Sequence, residues 1–260
     1  MSDKILIPFS GGINSTYSLY RWLTETDNDI IVRYAIDTWY PDYKNKKELD
    51  RISDVVLYLK SEVRDFVFDK KIWPVEYIEN KQPIRPGFKV GTWDVGKVLP
   101  RYEGYVSWSK ELKPDGISIG ISLENTSMDC GYNVLRKMIE DVGLDIYLAG
   151  WPTLEPIAQG SGFDWDDISG KMIGRFEQFE FMPEELRNMT LKCNPKTCVD
   201  NKCRDCAYQR TYEEYISEGK TGRDFDLYCA KHGQYGPYRN LANPDTYKYR
   251  GRYYQYLDFL

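Results

Sequence analysis

The chain has 260 residues, a formal net charge of −5, and 29 % charged against 42 % hydrophobic residues. This is the composition of a soluble globular protein, with one large domain or one domain and an appendage. It excludes a global basic field for nucleic acid, so any such binding needs a local patch. No run approaches the roughly 18 apolar residues of a membrane helix. Ile5–Phe9 is too short for a signal peptide, so the chain is expected in the cytoplasm.

The first element predicted is a short buried strand, Ile5-Leu6-Ile7-Pro8-Phe9. It runs into Ser10-Gly11-Gly12, where the glycines permit backbone angles that a side chain forbids. Asn14, Ser15 and Thr16 are residue types that cap a helix start, and a helix follows through Tyr17, Leu19, Tyr20, Trp22 and Leu23. A glycine loop leading into a helix N-terminus offers free N–H groups and the positive end of a helix dipole, which suits phosphate. Ile30–Ile36 reads as a second strand that ends near Asp37, at the sheet edge where ligands of open α/β folds bind. Residues 45–64 form an amphipathic helix, with Leu49, Ile52, Val55, Val56, Leu59 and Val63 on one side. Phe66-Val67-Phe68 is a third strand, and β-α-β-α-β is the pattern of a parallel sheet with crossover helices.

Residues 71–116 hold enough Pro and Gly to read mostly as loops covering the site. Gly91–Lys97 fits the GxxxxGK of a Walker loop, but Val98 stands where Ser or Thr should be, and no clear strand precedes it. Regularity returns with a strand at Ile117–Leu123, a helix from about Tyr132 to Val142, and a strand at Ile146–Ala149. A helix over 164–180 buries Ile168, Met172, Ile173, Phe176 and Phe179. A short helix, Glu184–Met189, follows Pro183.

Cys193, Cys198, Cys203 and Cys206 then place four of the six cysteines within fourteen residues. In a reducing compartment such a cluster reads as metal ligands, and four thiolates suit tetrahedral Zn²⁺. An iron–sulfur cluster, redox chemistry or coincidence remain as alternatives. Cys229 and His232, spaced CxxH, are candidates to replace one ligand. Cys130 stands apart.

Ser10-Gly-Gly-Ile-Asn-Ser-Thr16 resembles the PP-loop, SGGxDS/T, of the ATP pyrophosphatases, enzymes that split ATP between the α and β phosphates. Asn14 stands where that family has Asp. The N-terminal loop together with the C-terminal cysteines resembles the 7-cyano-7-deazaguanine synthases, PP-loop enzymes with a four-cysteine zinc site. Ile119-Gly120, Asp129-Cys130-Gly131-Tyr132, Arg136 and Ile139 are similar to that family's strand, D-x-SGYPDCR segment and helix, here one residue shorter and without the Pro-Asp pair. The resemblance covers roughly residues 4–37 and 117–210.

It implies an α/β fold: an open parallel sheet with helices on both faces, of the adenine nucleotide alpha hydrolase type, plus a C-terminal zinc knuckle. Residues 1–190 would form the nucleotide-binding domain, and residues 191–260 a zinc-binding, aromatic-rich region packed on it. The implied cofactors are ATP, Mg²⁺ and Zn²⁺. Ser10, Gly11, Gly12, Asn14, Ser15 and Thr16 would cradle phosphates, with Ser10, Asn14 and Ser15 nearest the chemistry. Asp37 would contact ribose or adenine, or serve as a strand-end turn residue. Asp129, Tyr132 and Arg136 would face a deazapurine, although Asp129 also fits a helix N-cap and Tyr132 a core position. The implied reaction converts 7-carboxy-7-deazaguanine, through carboxylate adenylation and ammonia attack, to the nitrile or its amide.

Two rivals keep part of this reading. A tRNA-modifying thiolase or amidating enzyme is one. The tail, which interleaves Tyr247, Tyr249, Tyr253 and Tyr254 with Lys248, Arg250 and Arg252, fits base stacking and phosphate contact, or else internal packing or a homodimer surface. A non-catalytic nucleotide-binding module is the other.

Overall fold

The computed structural model describes residues 2–36, 42–72, 95–122, 143–157, 171–190 and 207–232. Their elements, in order, are β1 (Lys4–Phe9), α1 (Ile13–Glu25), β2 (Asp29–Ile36), α2 (Asp42–Glu62), β3 (Val67–Ile72), α3 (Val95–Leu112), β4 (Gly116–Ile119) and β5 (Asp145–Leu148). Four helices follow: α4 (Arg175–Phe181), α5 (Glu184–Met189), α6 (Ala207–Ser217) and α7 (Gly222–His232). The strands form one parallel sheet in the order β3-β2-β1-β4-β5. The chain winds outward from β1 to β3, then crosses back to place β4 on the other side of β1. The reversal of strand order therefore falls between β1 and β4, and in such sheets the crevice at the carboxyl ends of those strands is where ligands bind.

Side chains alternate across each strand, and the two faces feed two cores. Ile5, Ile7 and Phe9 of β1, with Ile30, Val32 and Tyr34 of β2, pack with α1 and α2 residues such as Trp22, Ile52 and Leu59. Trp22 meets Tyr147 of β5 edge-on, ring centroids 4.9 Å apart. Leu6, Ile117, Ile119, Ile146 and Leu148 face the other way, onto Trp108 of α3. Arg33 of β2 also lies on this second face and is 2 % exposed. It donates to Glu111 Oε2 at 2.8 Å and to Asp69 Oδ2 at 2.6 Å, with its guanidinium carbon 5.6 Å from the Trp108 ring centroid. Through these two carboxylates the buried guanidinium links α3 to β2 and β3.

Three segments depart from the sequence reading. Within 71–116, where loops are expected, α3 is an 18-residue helix. Its Tyr105, Trp108 and Leu112 belong to the second core, and burying them outweighs Pro100, which removes one backbone bond near the helix start. The strand expected over Ile117–Leu123 stops at Ile119, because Gly120 and Ser122 are held by α1 instead of by a neighbouring strand. The helix expected over 164–180 is interrupted before Arg175. Met172 enters the second core, Phe176 a third and Phe179 the first, and no single helix face serves three cores.

That third core joins Phe176 to Tyr212 and Phe225 of the C-terminal helices α6 and α7, which the sequence reading leaves unassigned. Phe176 stacks on Tyr212 at 4.3 Å and meets Phe225 edge-on at 4.9 Å. Asp226 of α7, fully buried, reaches the start of α4. There the N–H of Phe176 donates to Oδ2 at 2.9 Å and the N–H of Glu177 donates to the same oxygen at 2.8 Å. No described helix is long and apolar enough to cross a membrane.

Candidate functional site

The Ser10–Thr16 loop occupies the carboxyl end of β1, at the strand-order reversal. Gly11 has φ of +68°, a left-handed angle that a side chain would strain. The loop is tied by its own hydroxyls. The Ser10 N–H donates to Ser15 Oγ at 3.3 Å, and Ser15 Oγ donates to the Gly12 carbonyl at 3.1 Å. Because that one proton is spent, Ser15 Oγ accepts from Ser10 Oγ at 3.2 Å, and Ser10 Oγ in turn accepts the Gly12 N–H at 3.4 Å. Ser10 is exposed and Ser15 buried, so the chain of hydroxyls runs from solvent to the helix start.

Helix α1 begins at N-cap Gly12 with no side-chain cap and no acidic residue in its first turn. The Thr16 N–H closes the first helical bond, to the Gly12 carbonyl at 2.9 Å. The Thr16 side chain is fully buried, and its hydroxyl finds no hydrogen-bond partner; the structure does not bring it to the open side of the loop.

Asn14 points across the strand-order reversal. Its amide nitrogen donates to the Gly120 carbonyl at 3.2 Å and to Ser122 Oγ at 2.8 Å. Two further residues on the same side of α1 extend the contact. Ser18 Oγ lies 2.8 Å from Ser118 Oγ of β4. Arg21 donates to the carbonyls of Trp151 at 2.7 Å and Pro152 at 3.1 Å, while Glu25 holds its other edge. Positions 14, 18 and 21 form one polar stripe at helical spacing. Ser18, Arg21, Ser118 and Ser122 escape the sequence reading, although the spacing of positions 14, 18 and 21 was a visible signal.

The described residues include Ser10, Gly11, Gly12, Asn14, Ser15 and Thr16 but not Asp37, Asp129, Tyr132, Arg136, Cys193, Cys198, Cys203 or Cys206. The cysteines fall in the connection between α5 and α6. Cys229 and His232 lie on α7, and their side chains are outside the described set. Among the described residues there is no group of three or more His, Cys, Asp or Glu able to hold a metal. The described loop offers only neutral oxygens, so a Mg²⁺ there would be carried by the phosphates of a bound nucleotide. Four cysteine thiolates remain a donor set suited to zinc.

No family model and no curated protein matches the chain. Among solved structures, the chain is similar to the U34-tRNA thiolase NcsA from Methanococcus maripaludis with its 4Fe-4S cluster, at 12 % identity and a TM-score of 0.41, covering 100 % of this chain and 74 % of that one. It is also similar to NMN synthetase from Francisella tularensis, at 10 % identity and a TM-score of 0.45, covering 88 % and 83 %. At this distance neither likeness bears on activity, substrate or cofactor. The parallel sheet and its strand order, reversing beside β1, are those of a doubly wound α/β fold, with a glycine loop at the reversal.

Proposed function

We propose that the chain is an ATP-using, AMP-forming enzyme of the PP-loop type. The observation that carries this is the glycine loop itself: a left-handed Gly11, an uncapped helix start at Gly12 and two hydroxyls at the strand-order reversal. Backbone N–H groups there would hold the departing pyrophosphate, and the Ser10 hydroxyl, already at the surface, would turn toward it.

The narrower proposal follows the resemblance of residues 117–139 and of the cysteine run. The substrate is 7-carboxy-7-deazaguanine. Its carboxylate oxygen attacks the α-phosphorus, the bond to pyrophosphate breaks, and an acyl adenylate forms. Ammonia adds to the acyl carbon and AMP leaves with the carbon–oxygen bond, giving the amide. The amide oxygen attacks the α-phosphorus of a second ATP and pyrophosphate leaves; the carbon–oxygen bond then breaks, AMP departs, and the nitrogen gives up its two protons to leave the nitrile. The protein's share is placing the two reactants together and excluding water from the adenylate. Asp129, Tyr132 and Arg136 are the proposed base contacts. Cys193, Cys198, Cys203 and Cys206 are the proposed structural zinc ligands.

The test incubates zinc-loaded protein with ATP, Mg²⁺, ammonium and 7-carboxy-7-deazaguanine, counts AMP and pyrophosphate, and follows the base by mass spectrometry. Nitrile or amide with AMP is the expected result. AMP with an unchanged base removes the deazapurine and leaves another acceptor, such as tRNA. No AMP under any condition overturns the enzyme reading in favour of a nucleotide-binding module.

A further inference from the structure

We infer that Asn14 is a positioning residue that works as a hydrogen-bond donor: its amide latches the glycine loop and the first turn of α1 onto the chain leaving β4, and a carboxylate cannot replace it. The functional half of this inference rests on the proposed anion cradle.

The Gly120 carbonyl can only accept, so the atom 3.2 Å from it must donate. A carboxylate has no proton to give at neutral pH and would set two oxygens against each other. Ser122 Oγ, at 2.8 Å, takes the second amide hydrogen. The two chains also lie close. A Cβ placed on Gly120 would sit 3.5 Å from Asn14 Cβ and 3.6 Å from the Ser15 nitrogen. The chain leaving β4 and the first turn of α1 are therefore held side by side by backbone contact and the Asn14 amide. The two described partners of that amide, the Gly120 carbonyl and the Ser122 hydroxyl, are uncharged. The first turn of α1 holds no acid, and Arg21, two turns on, is already engaged by Glu25 and two carbonyls.

An opposing effect makes the inference testable. An anionic side chain in the first turn of a helix is favoured by the helix dipole, so in Asn14→Asp a gain from the helix opposes the loss at Gly120. In its protonated form the introduced carboxyl can still donate to Gly120, whereas in its ionised form it cannot. If the latch governs, that carboxyl has a raised folded-state pKa. Its contribution is then intact at low pH and lost as pH rises through that value.

The experiment measures thermal midpoints of the ligand-free wild type, Asn14→Asp and Asn14→Ala from pH 5 to 8, with MgATP and pyrophosphate affinities by calorimetry at both ends. The expected deficit of Asn14→Asp widens by about 4 °C or more between pH 5 and 8, while that of Asn14→Ala stays constant with pH. At pH 8, Asn14→Asp is expected to bind MgATP about tenfold more weakly than wild type, the loss of one charge-sensitive contact. A deficit that narrows or stays level with rising pH overturns the latch, as does tighter MgATP binding by Asn14→Asp. Wild type that binds neither ligand sinks the anion cradle, and the thermal series still decides the latch.

Discussion

Replacing Asp226 tests how the C-terminal helices are held to the sheet. Its buried carboxylate accepts the N–H groups of Phe176 and Glu177, with Oδ2 bridging both at 2.9 and 2.8 Å. Hydrogen bonds to a charged group contribute about 1.5–3 kcal/mol each. Part of that is offset by desolvating the carboxylate, a cost that vanishes with it. Asp226→Ala is therefore expected to cost about 3 kcal/mol, somewhat above a typical N-cap deletion. In a protein of this size that lowers Tm by roughly 6–12 °C. Asp226→Asn keeps an oxygen able to take the Oδ2 position and both N–H groups, but it loses the charge and sets its NH2 where Oδ1 accepts from the Phe176 N–H at 3.0 Å, so it should recover only part of what Ala loses. The assay is thermal unfolding by circular dichroism, with hydrogen exchange at Phe176 and Glu177. An Ala variant within about 2 °C of wild type, or one with both amides still protected, would refute the reasoning.

Two other perturbations probe the parts that surround the loop. A methyl group on Gly150 would lie 2.8 Å from the Ile173 carbonyl oxygen and Ser122 Cα, and 3.0 Å from the Ile121 oxygen. All three are backbone atoms that cannot swing aside, so Gly150→Ala should cost about 1–3 kcal/mol, and an unchanged melting curve contradicts the close approach. Arg33, hydrogen-bonded to Glu111, holds that carboxyl below its usual range. A lowered folded-state pKa gives stability that is present above the unfolded value and lost as pH falls through the folded one. The Tm gap between wild type and Glu111→Gln should accordingly be largest above the ordinary carboxylate range and shrink as pH falls below it. A gap that is flat with pH would place the stabilisation elsewhere.

The alternation of β1 through β3 was legible because each strand carries a few consecutive apolar residues, only Val67 and Phe68 in β3, and each helix keeps one apolar side. The site loop was legible for the same local reason: glycines and small hydroxyl residues sit directly after a buried strand. What failed was anything that depended on where an apolar residue goes. Met172, Phe176 and Phe179 share a helical spacing yet enter three cores, and periodicity carries no record of a break between them. α3 was hidden by its own Gly96, Pro100 and Gly104, whose penalties are local while the burial of Trp108 is tertiary. α7 was missed although Thr221 and Asp224 form a reciprocal cap, the Thr221 N–H donating to Asp224 Oδ2 at 2.8 Å and the Asp224 N–H to Thr221 Oγ1 at 3.2 Å. The Asn14 latch needed the fold, since its partners lie more than a hundred residues away.

Helices α1 and α4 start alike and are treated differently. Each has glycine at its N-cap in nearly the same conformation, φ −77° and ψ 166° at Gly12, φ −81° and ψ 171° at Gly174, and neither cap supplies a side-chain hydrogen bond. At α4 the chain fills the gap itself. Asp226 comes from another helix to sit on the N–H groups of the second and third helical residues, Phe176 and Glu177, so close that a methyl group on Gly174 would fall 2.1 Å from the carboxyl carbon. The same two positions in α1 are Asn14 and Ser15. The first turn of α1 holds no acidic residue of its own, and the Asn14 side chain is directed sideways to Gly120 and Ser122. Among the described residues, a glycine-started helix without an acid in its own first turn presents the positive end of its dipole at the strand-order reversal, a setting that suits an incoming phosphate. That contrast within one chain supports the anion reading of the loop without appeal to any relative.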